Sequence, residues 1–320
     1  MLGVILDKGS LGFDVDYANL TNQLSEWQYY PTTAKEDVSK RIAGASVVVT
    51  NKVYLGREEL AHASNLKLIC ISATGTNNVD LAAASSLGIS VCNVTAYATP
   101  SVVEHTFSLI LSLVRNLNAY RQDVASGQWF KSKHFCLLDH PISELAGKKL
   151  GIIGYGELGQ AVAKVGEAFG MEVLIAQSLR TDQSIVENRI ALDELLTQVD
   201  ILSLHCPLTE QTKGLINQQR IAQMKKTAII INTARGGIVD EEALHQALCA
   251  GDIAAAGIDV LENEPPLEGN KLLSLSLPNL IVTPHIAWAS RESRQRLINE
   301  VANNIHAFFS NQPRNLVRAC

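Results

Sequence analysis

Four side chains in the C-terminal half have the types needed for acid–base work beside a carbonyl group. They are Arg235 in INTARGGIVD, Asp259 and Glu264 in DVLENEPP, and His285 in TPHIAW. Arg235 follows the apolar run AIII and precedes two glycines, where a buried guanidinium is costly unless an anion meets it. Its planar fork of donors matches a carboxylate and can polarise a neighbouring carbonyl. An imidazole next to an oxygen that gains negative charge can donate a proton as general acid. A carboxylate held against that imidazole fixes its orientation and favours its cationic form. Glu264 is the expected partner of His285. Taken singly, each residue also fits a bland role: a satisfied structural histidine, an arginine capping a turn, an acidic surface loop. Their joint order along the chain argues for a site.

Residues so far apart in sequence need strands that end in one place. Candidate strands are GVIL (3–6), SVVVT (46–50), LKLICIS (66–72), ISVCNV (89–94), KLGIIG (149–154), MEVLIA (171–176), DILSLH (200–205), TAIIIN (227–232), AAGIDV (255–260) and NLIVT (279–283). They read as buried on both faces, as parallel strands do. Helix-like segments lie between them, such as DEEALHQALCAG, with Asp240 as N-cap and Gly251 as stop. Strand–helix alternation predicts parallel α/β units. Ligands of such sheets lie beyond the carboxyl ends of the strands, where Arg235, Asp259, Glu264 and His285 all fall.

A seam lies near Ala98–Pro100. One long helix is expected over SVVEHTFSLILSLVRNLNAY, then a loop-rich stretch containing Gly127, Trp129, Phe130 and Pro141. In SRESRQRLINEVANNIHAFF, Leu297, Val301, Ile305 and Phe308/Phe309 form one helical stripe. If that helix packs back on the N-terminal part, one domain is built from both ends of the chain.

The segment KLGIIGYGELGQAVAKVGEAFG carries GxGxxG at Gly154, Gly156 and Gly159, between an apolar strand and a helical pattern. Gly154 permits the tight turn, Gly156 lets backbone approach a pyrophosphate, and Gly159 lets helix and strand pack closely. A dinucleotide there supplies hydride to a carbonyl carbon, which gives the acid–base set its purpose. The end of the next strand should carry an acid for the ribose 2′-hydroxyl. Gln177 stands in that place, followed by Ser178, with Arg180 close by. No carboxylate repels a 2′-phosphate and Arg180 could pair with one, so NAD and NADP both remain open, with NAD slightly favoured.

The chain has 320 residues, 47% apolar and 18% charged, enough for roughly two domains with large cores. A net charge of −5 without a basic run argues against nucleic acid. FSLILSLV is too short to span a bilayer, and MLGVILDKGS shows no secretory leader, so a cytoplasmic protein is expected. Cys70, Cys92, Cys136, Cys206, Cys249 and Cys320 lack ligand-like spacing; no metal site is expected.

At these residues the chain resembles the D-isomer-specific 2-hydroxyacid dehydrogenases. GIIGYGELG, HCPLTEQTKGLIN, NTARGGIVDEEAL, GIDVLENEPP and TPHIAWAS match in order, and the likeness reaches back to ATGTNNVD and NVTAYATPSVVEHT. Within that family, ATGTNNVD, GYGELG and HIAW are most similar to the glycerate dehydrogenase, or hydroxypyruvate reductase, branch. The resemblance implies a Rossmann-type doubly wound parallel sheet domain over 99–286. It also implies a smaller flavodoxin-like α/β substrate domain over 1–98 and 287–320, and a homodimer. It makes Arg235, Glu264 and His285 catalytic, with His285 as the acid–base. It assigns the backbone amides of Ala73, Thr74, Gly75 and Thr76 to the substrate carboxylate, an anion nest. It places Thr106, Gly154, Gly156, Glu157, Leu158, Gly159, Gln177, Arg180, Cys206, Pro207, Thr212, Thr233, Ala234, Asp259 and His285 along the cofactor, with Asp259 tuning its nicotinamide end.

A phosphorylated substrate would need added cations, and Lys52 is the only nearby candidate by order. A chain ending at Cys320 is expected to carry no appended regulatory domain. A small 2-oxo acid therefore fits better, hydroxypyruvate or glyoxylate reduced to D-glycerate or glycolate, with Trp288 closing one side of the pocket or simply packing. Two other readings stay open. A dinucleotide-sensing scaffold of the corepressor type keeps similar catalytic residues. A formate or phosphite dehydrogenase relative would have little use for the His/Glu pair.

Overall fold

The computed structural model describes residues 1–179, 188–274 and 277–318. The chain divides into two compact units, Met1–Ala98 with Trp288–Cys320, and Thr99–Ala287.

The first unit is built on a parallel five-stranded sheet: β1 (Leu2–Ile5), β2 (Glu26–Tyr29), β3 (Val47–Thr50), β4 (Leu68–Ile71) and β5 (Ser90–Cys92), in the order β2-β1-β3-β4-β5. That is the flavodoxin-like strand order. Strands β3 and β4 are buried at every position, as their unbroken apolar runs require. The helix Arg291–Phe309 packs on β4 and on the helix Ala18–Thr21, with Leu297, Val301 and Ile305 in the core. β2 is a strand that apolar runs do not announce. Its EWQY is an edge strand with three of four residues exposed, so burial never shaped its composition.

The second unit holds β6 (Lys149–Ile153), β7 (Glu172–Ile175), β8 (Ile201–Leu204), β9 (Ile229–Asn232), β10 (Ala255–Ile258) and β11 (Leu280–Val282). The order is β11-β10-β9-β8-β6-β7, all parallel. Beyond β7 a single parallel bridge joins Ala176 to Ile190. From β6 the chain winds one way to β7 and then the other way to β8, so the strand order reverses at β6. Apolar side chains of the helices Thr99–Val114 and Glu157–Ala168 fill one face of this sheet. Those of Leu192–Gln198 and Glu241–Ala250 fill the other. Asp240 accepts the Ala243 N–H at 3.0 Å and Gly251 ends the helix in the left-handed conformation, the cap and stop their types suggest.

Two local expectations need correction. The long helix over 101–120 ends at Val114. Asn116 adopts φ +50 and a second helix, Leu117–Ala125, begins after it. Asparagine tolerates the left-handed region, so the hydrophobic period carries across a break it cannot reveal. The loop-rich stretch also holds a short helix, Gln128–Lys131.

Candidate active site

The polar side chains sit where β9, β10 and β11 end. Asn232, buried at the tip of β9, accepts the Ala234 N–H at 3.1 Å and donates to the Arg235 carbonyl at 2.9 Å. It shapes the turn Thr233–Arg235. Sequence reasoning misses Asn232, although a polar residue closing an apolar run is a readable signal. A Cβ at Gly236 would lie 1.9 Å from the Leu261 carbonyl oxygen, so only glycine lets this turn rest on the backbone leading to Glu264. The Leu261 N–H donates to Glu264 Oε1 at 2.8 Å, and His285 Nδ1 donates to Glu264 Oε2 at 2.6 Å. The turn bearing Arg235, the Glu264 loop and His285 thus form one connected cluster.

Arg235 departs from expectation in one respect. Its side chain is exposed, not buried, because the turn carries it past the end of the strand, and Nη1 donates to the Ala234 carbonyl at 2.6 Å.

Asp259 is the buried member, 1% exposed. Its carboxylate accepts the Ile286 N–H at 2.9 Å, the Ala287 N–H at 2.8 Å and the Thr283 hydroxyl at 2.5 Å. Its backbone carbonyl accepts the His285 N–H at 2.8 Å. His285 has φ +55, a left-handed conformation uncommon for a residue with a Cβ. Asp259 therefore anchors the turn that holds the imidazole. The Thr283 hydroxyl proton goes to Asp259, so its oxygen accepts from His105 Nε2 at 2.9 Å.

The phosphate-loop glycines have distinct settings. Gly154 has φ +91, and a Cβ there would fall 2.5 Å from the Cys206 backbone nitrogen. A Cβ at Gly159 would fall 2.1 Å from the Gly154 oxygen, whereas the space over Gly156 is open. Beside them lies a cleft of about 520 Å³, lined by Gly154, Gly156, Gln177, Cys206, Pro207 and Thr212 among the residues expected. Tyr155, Ser178, Arg189, His205, Thr209 and Gln211 line it too. Gln177 Nε2 donates to the Arg189 carbonyl at 3.0 Å. Thr212 is buried and donates to the Pro207 carbonyl at 2.6 Å, closing that loop on itself. Burial pushes the Cys206 thiol up to about 11 and the His205 imidazole down to about 4, so both line the cleft uncharged at neutral pH. His205 Nε2 lies 2.8 Å from Ser203 Oγ.

Thr106 and Thr233 meet through their hydroxyls at 3.1 Å. Glu157 and half-buried Leu158 open the helix Glu157–Ala168, where the Glu157 carboxylate accepts from Thr99 Oγ1 at 2.5 Å. Arg180 lies outside the described residues, as does Cys320. Within the first unit, the segment 73–76 follows β4. The Ala73 carbonyl accepts the Val94 N–H, and the Thr74 carbonyl accepts Asn93 Nδ2 at 2.7 Å. Trp288 packs edge-on against Tyr97. Among the described residues no group of His, Cys, Asp or Glu could hold a metal ion, and no helix is long and apolar enough to cross a membrane.

Residues 107–287 match the family model described as the D-isomer specific 2-hydroxyacid dehydrogenase, NAD binding domain. The chain belongs to the D-isomer-specific 2-hydroxyacid dehydrogenases. As a member of that family it is an NAD(P)-dependent oxidoreductase acting on a CH–OH group. It is 45% identical over 316 residues to the glycerate dehydrogenase of Methylorubrum extorquens, covering 99% of this chain and 98% of that protein. It is 40% identical over 309 residues to the hydroxypyruvate reductase of Blautia hydrogenotrophica, covering 95% of each. The D-lactate dehydrogenase of Aquifex aeolicus, solved with NAD and lactic acid, superposes with a TM-score of 0.82. It is 32% identical and covers 100% of both chains. The family, the two-sheet α/β architecture and the enzyme class read from sequence are all borne out. The residues present suit a dinucleotide: a tight turn at positive φ that glycine adopts freely, open space over Gly156 and a cleft with no carboxylate among its described lining residues.

Proposed function

We propose that this dehydrogenase reduces hydroxypyruvate, and glyoxylate more slowly, to D-glycerate and glycolate. The observation that carries the chemistry is the His285–Glu264 pair at 2.6 Å beside the turn bearing Arg235. The names of the similar enzymes support the substrate class. The reduced nicotinamide, when bound, supplies hydride to the carbonyl carbon. With Nδ1 committed to Glu264, His285 exchanges protons at Nε2, giving one to the oxygen as it gains charge. Glu264, itself held by the Leu261 N–H, stabilises the imidazolium and fixes its ring plane. The exposed guanidinium of Arg235 takes the substrate carboxylate. The Gly154–Gly159 loop and helix N-terminus hold the pyrophosphate, with Cys206, Pro207, Thr212, Thr233, Ala234 and Thr106 along the cofactor and Asp259 toward its nicotinamide end.

A homodimer is part of this reading. Supporting it, Phe130 and Phe135 are 94% and 91% exposed on one short stretch that also exposes Trp129 and Leu138, large apolar side chains of the kind a partner surface covers. A cytoplasmic location is also part of this reading, in keeping with six cysteines scattered along the chain.

The test is oxidation of NADH and NADPH against a panel of 2-oxo acids. Hydroxypyruvate should be the fastest substrate, and His285→Ala should abolish turnover while sparing cofactor binding. If no 2-oxo acid is reduced, the substrate reading is lost. If His285→Ala retains near-normal turnover, the acid assignment is lost.

A further inference from the structure

Glu264 is presented by a loop that runs on from β10 to the short helix Lys271–Ser274. Loops move more than the elements they join, so a loop carrying a reacting group needs bracing. Here the brace is the first turn of the helix Glu241–Ala250, and it reaches both ends of the loop. Glu241 Oε1 accepts the Glu262 N–H at 2.7 Å, and Glu241 Oε2 accepts Asn270 Nδ2 at 2.6 Å. Asn270 Oδ1 in turn accepts the Leu272 N–H at 2.8 Å, and Lys271 Nζ pairs with the Glu242 carboxylate. Glu241 is a strut, with one oxygen for each end of the loop. Both bonds are charge-assisted, the stronger kind.

The near end bears on the chemistry. The peptide joining Leu261 to Glu262 lies against Gly236, where a Cβ would fall 1.9 Å from the Leu261 oxygen and 2.5 Å from the Glu262 nitrogen. The N–H on that nitrogen is the one Glu241 takes. One peptide unit is therefore held on one side by Gly236 and at its N–H by Glu241. The preceding N–H, that of Leu261, holds Glu264 Oε1 at 2.8 Å while Oε2 meets His285. Two consecutive N–H groups are thus divided between two carboxylates. A shift of the first peptide unit carries Leu261 with it and swings the donor that aims Glu264. A misplacement of about 1 Å in a catalytic group can cost about 10²-fold in rate.

We propose that Glu241 is a positioning residue for the reduction, fixing through the Leu261–Glu262 peptide the loop from which Glu264 meets His285. The proposal rests on the reading of Glu264 and His285 as the acid–base pair.

The test compares the full-length wild type with Glu241→Ala, Glu241→Gln, Glu264→Gln and the double variant Glu241→Ala/Glu264→Gln. The kcat is read with NADH and the 2-oxo acid that the wild type reduces fastest. Glu241→Ala should lower kcat by about tenfold while the KM for NADH stays within about twofold. Glu241→Gln, which keeps an acceptor oxygen for the Glu262 N–H, should return kcat to within about threefold of wild type. In the double variant, losing Glu241 should add less than about twofold to the effect of Glu264→Gln, because the strut then has no carboxylate to aim. A Glu241 that only stabilises the fold gives losses that multiply. Multiplying losses, a glutamine variant no better than alanine, or a Glu241→Ala kcat within about twofold of wild type overturns the positioning role and leaves the acid–base pair standing. A Glu264→Gln kcat within about twofold of wild type removes the pair and this role together.

Discussion

Nδ1 of His285 lies 2.6 Å from Oε2 of Glu264, while the other oxygen of that carboxylate is held at 2.8 Å by the backbone N–H of Leu261. The carboxylate is anchored before it meets the ring, so it cannot follow the imidazole if the ring turns. Glu264→Gln keeps the shape and removes the charge. Its kcat for hydroxypyruvate should fall by about 10²-fold, in the range of a removed acid–base partner, with the KM for cofactor unchanged. Steady-state kinetics decide it, and a kcat within twofold of wild type would show that the pair is only structural.

Asp259 is a stability residue as much as a site residue. Replacing it with asparagine offers one oxygen and one N–H group to the N–H donors of Ile286 and Ala287. One donor is left facing another inside a buried turn. Loss of about 3 kcal/mol in urea unfolding is expected, together with a collapse of kcat, because the φ +55 conformation of His285 loses its anchor. Unchanged stability would mean that the turn is held by something else.

Thr283 links Asp259 to His105 through one hydroxyl. Thr283→Val, close in volume, should cost about 1–2 kcal/mol and lower kcat more than KM. Thr283→Ser should restore kcat almost fully. Equal kinetics for the valine and serine variants would remove the hydroxyl from the account.

His205 gives the folded protein an acid sensitivity that is independent of catalysis. Burial lowers its imidazole from 6.5 to about 4. The unfolded chain binds this proton below about pH 6.5, whereas the folded chain resists until about pH 4. Its contribution is full above pH 6.5 and is lost as pH falls toward 4, by up to about 3 kcal/mol. Denaturant midpoints measured across that range should fall with acid in the wild type and fall less steeply in His205→Gln. Parallel curves for the two proteins would contradict the buried-neutral assignment.

Among the described residues, ten of the eleven strands and the helix cap at Asp240 could be read along the chain because burial on both faces and capping leave local marks. The eleventh, β2, left none, since an exposed edge strand is free to be polar. Asn116 hid a helix break for a similar reason: a single left-handed residue does not disturb an apolar period.

By itself the sequence determined the α/β class, the glycine loop and the strand-end placement of Arg235, Glu264 and His285. Each is encoded within about ten residues, by periodicity or by the spacing of small and polar types. Only the tertiary structure decided the contacts beyond the expected pairing of Glu264 with His285. It committed Asp259 to the backbone that holds His285, set Arg235 outside the core, and brought Arg189 beside Gln177 across a bridge between Ala176 and Ile190. Those outcomes depend on where strands and turns distant in sequence come to lie side by side, which no local pattern records.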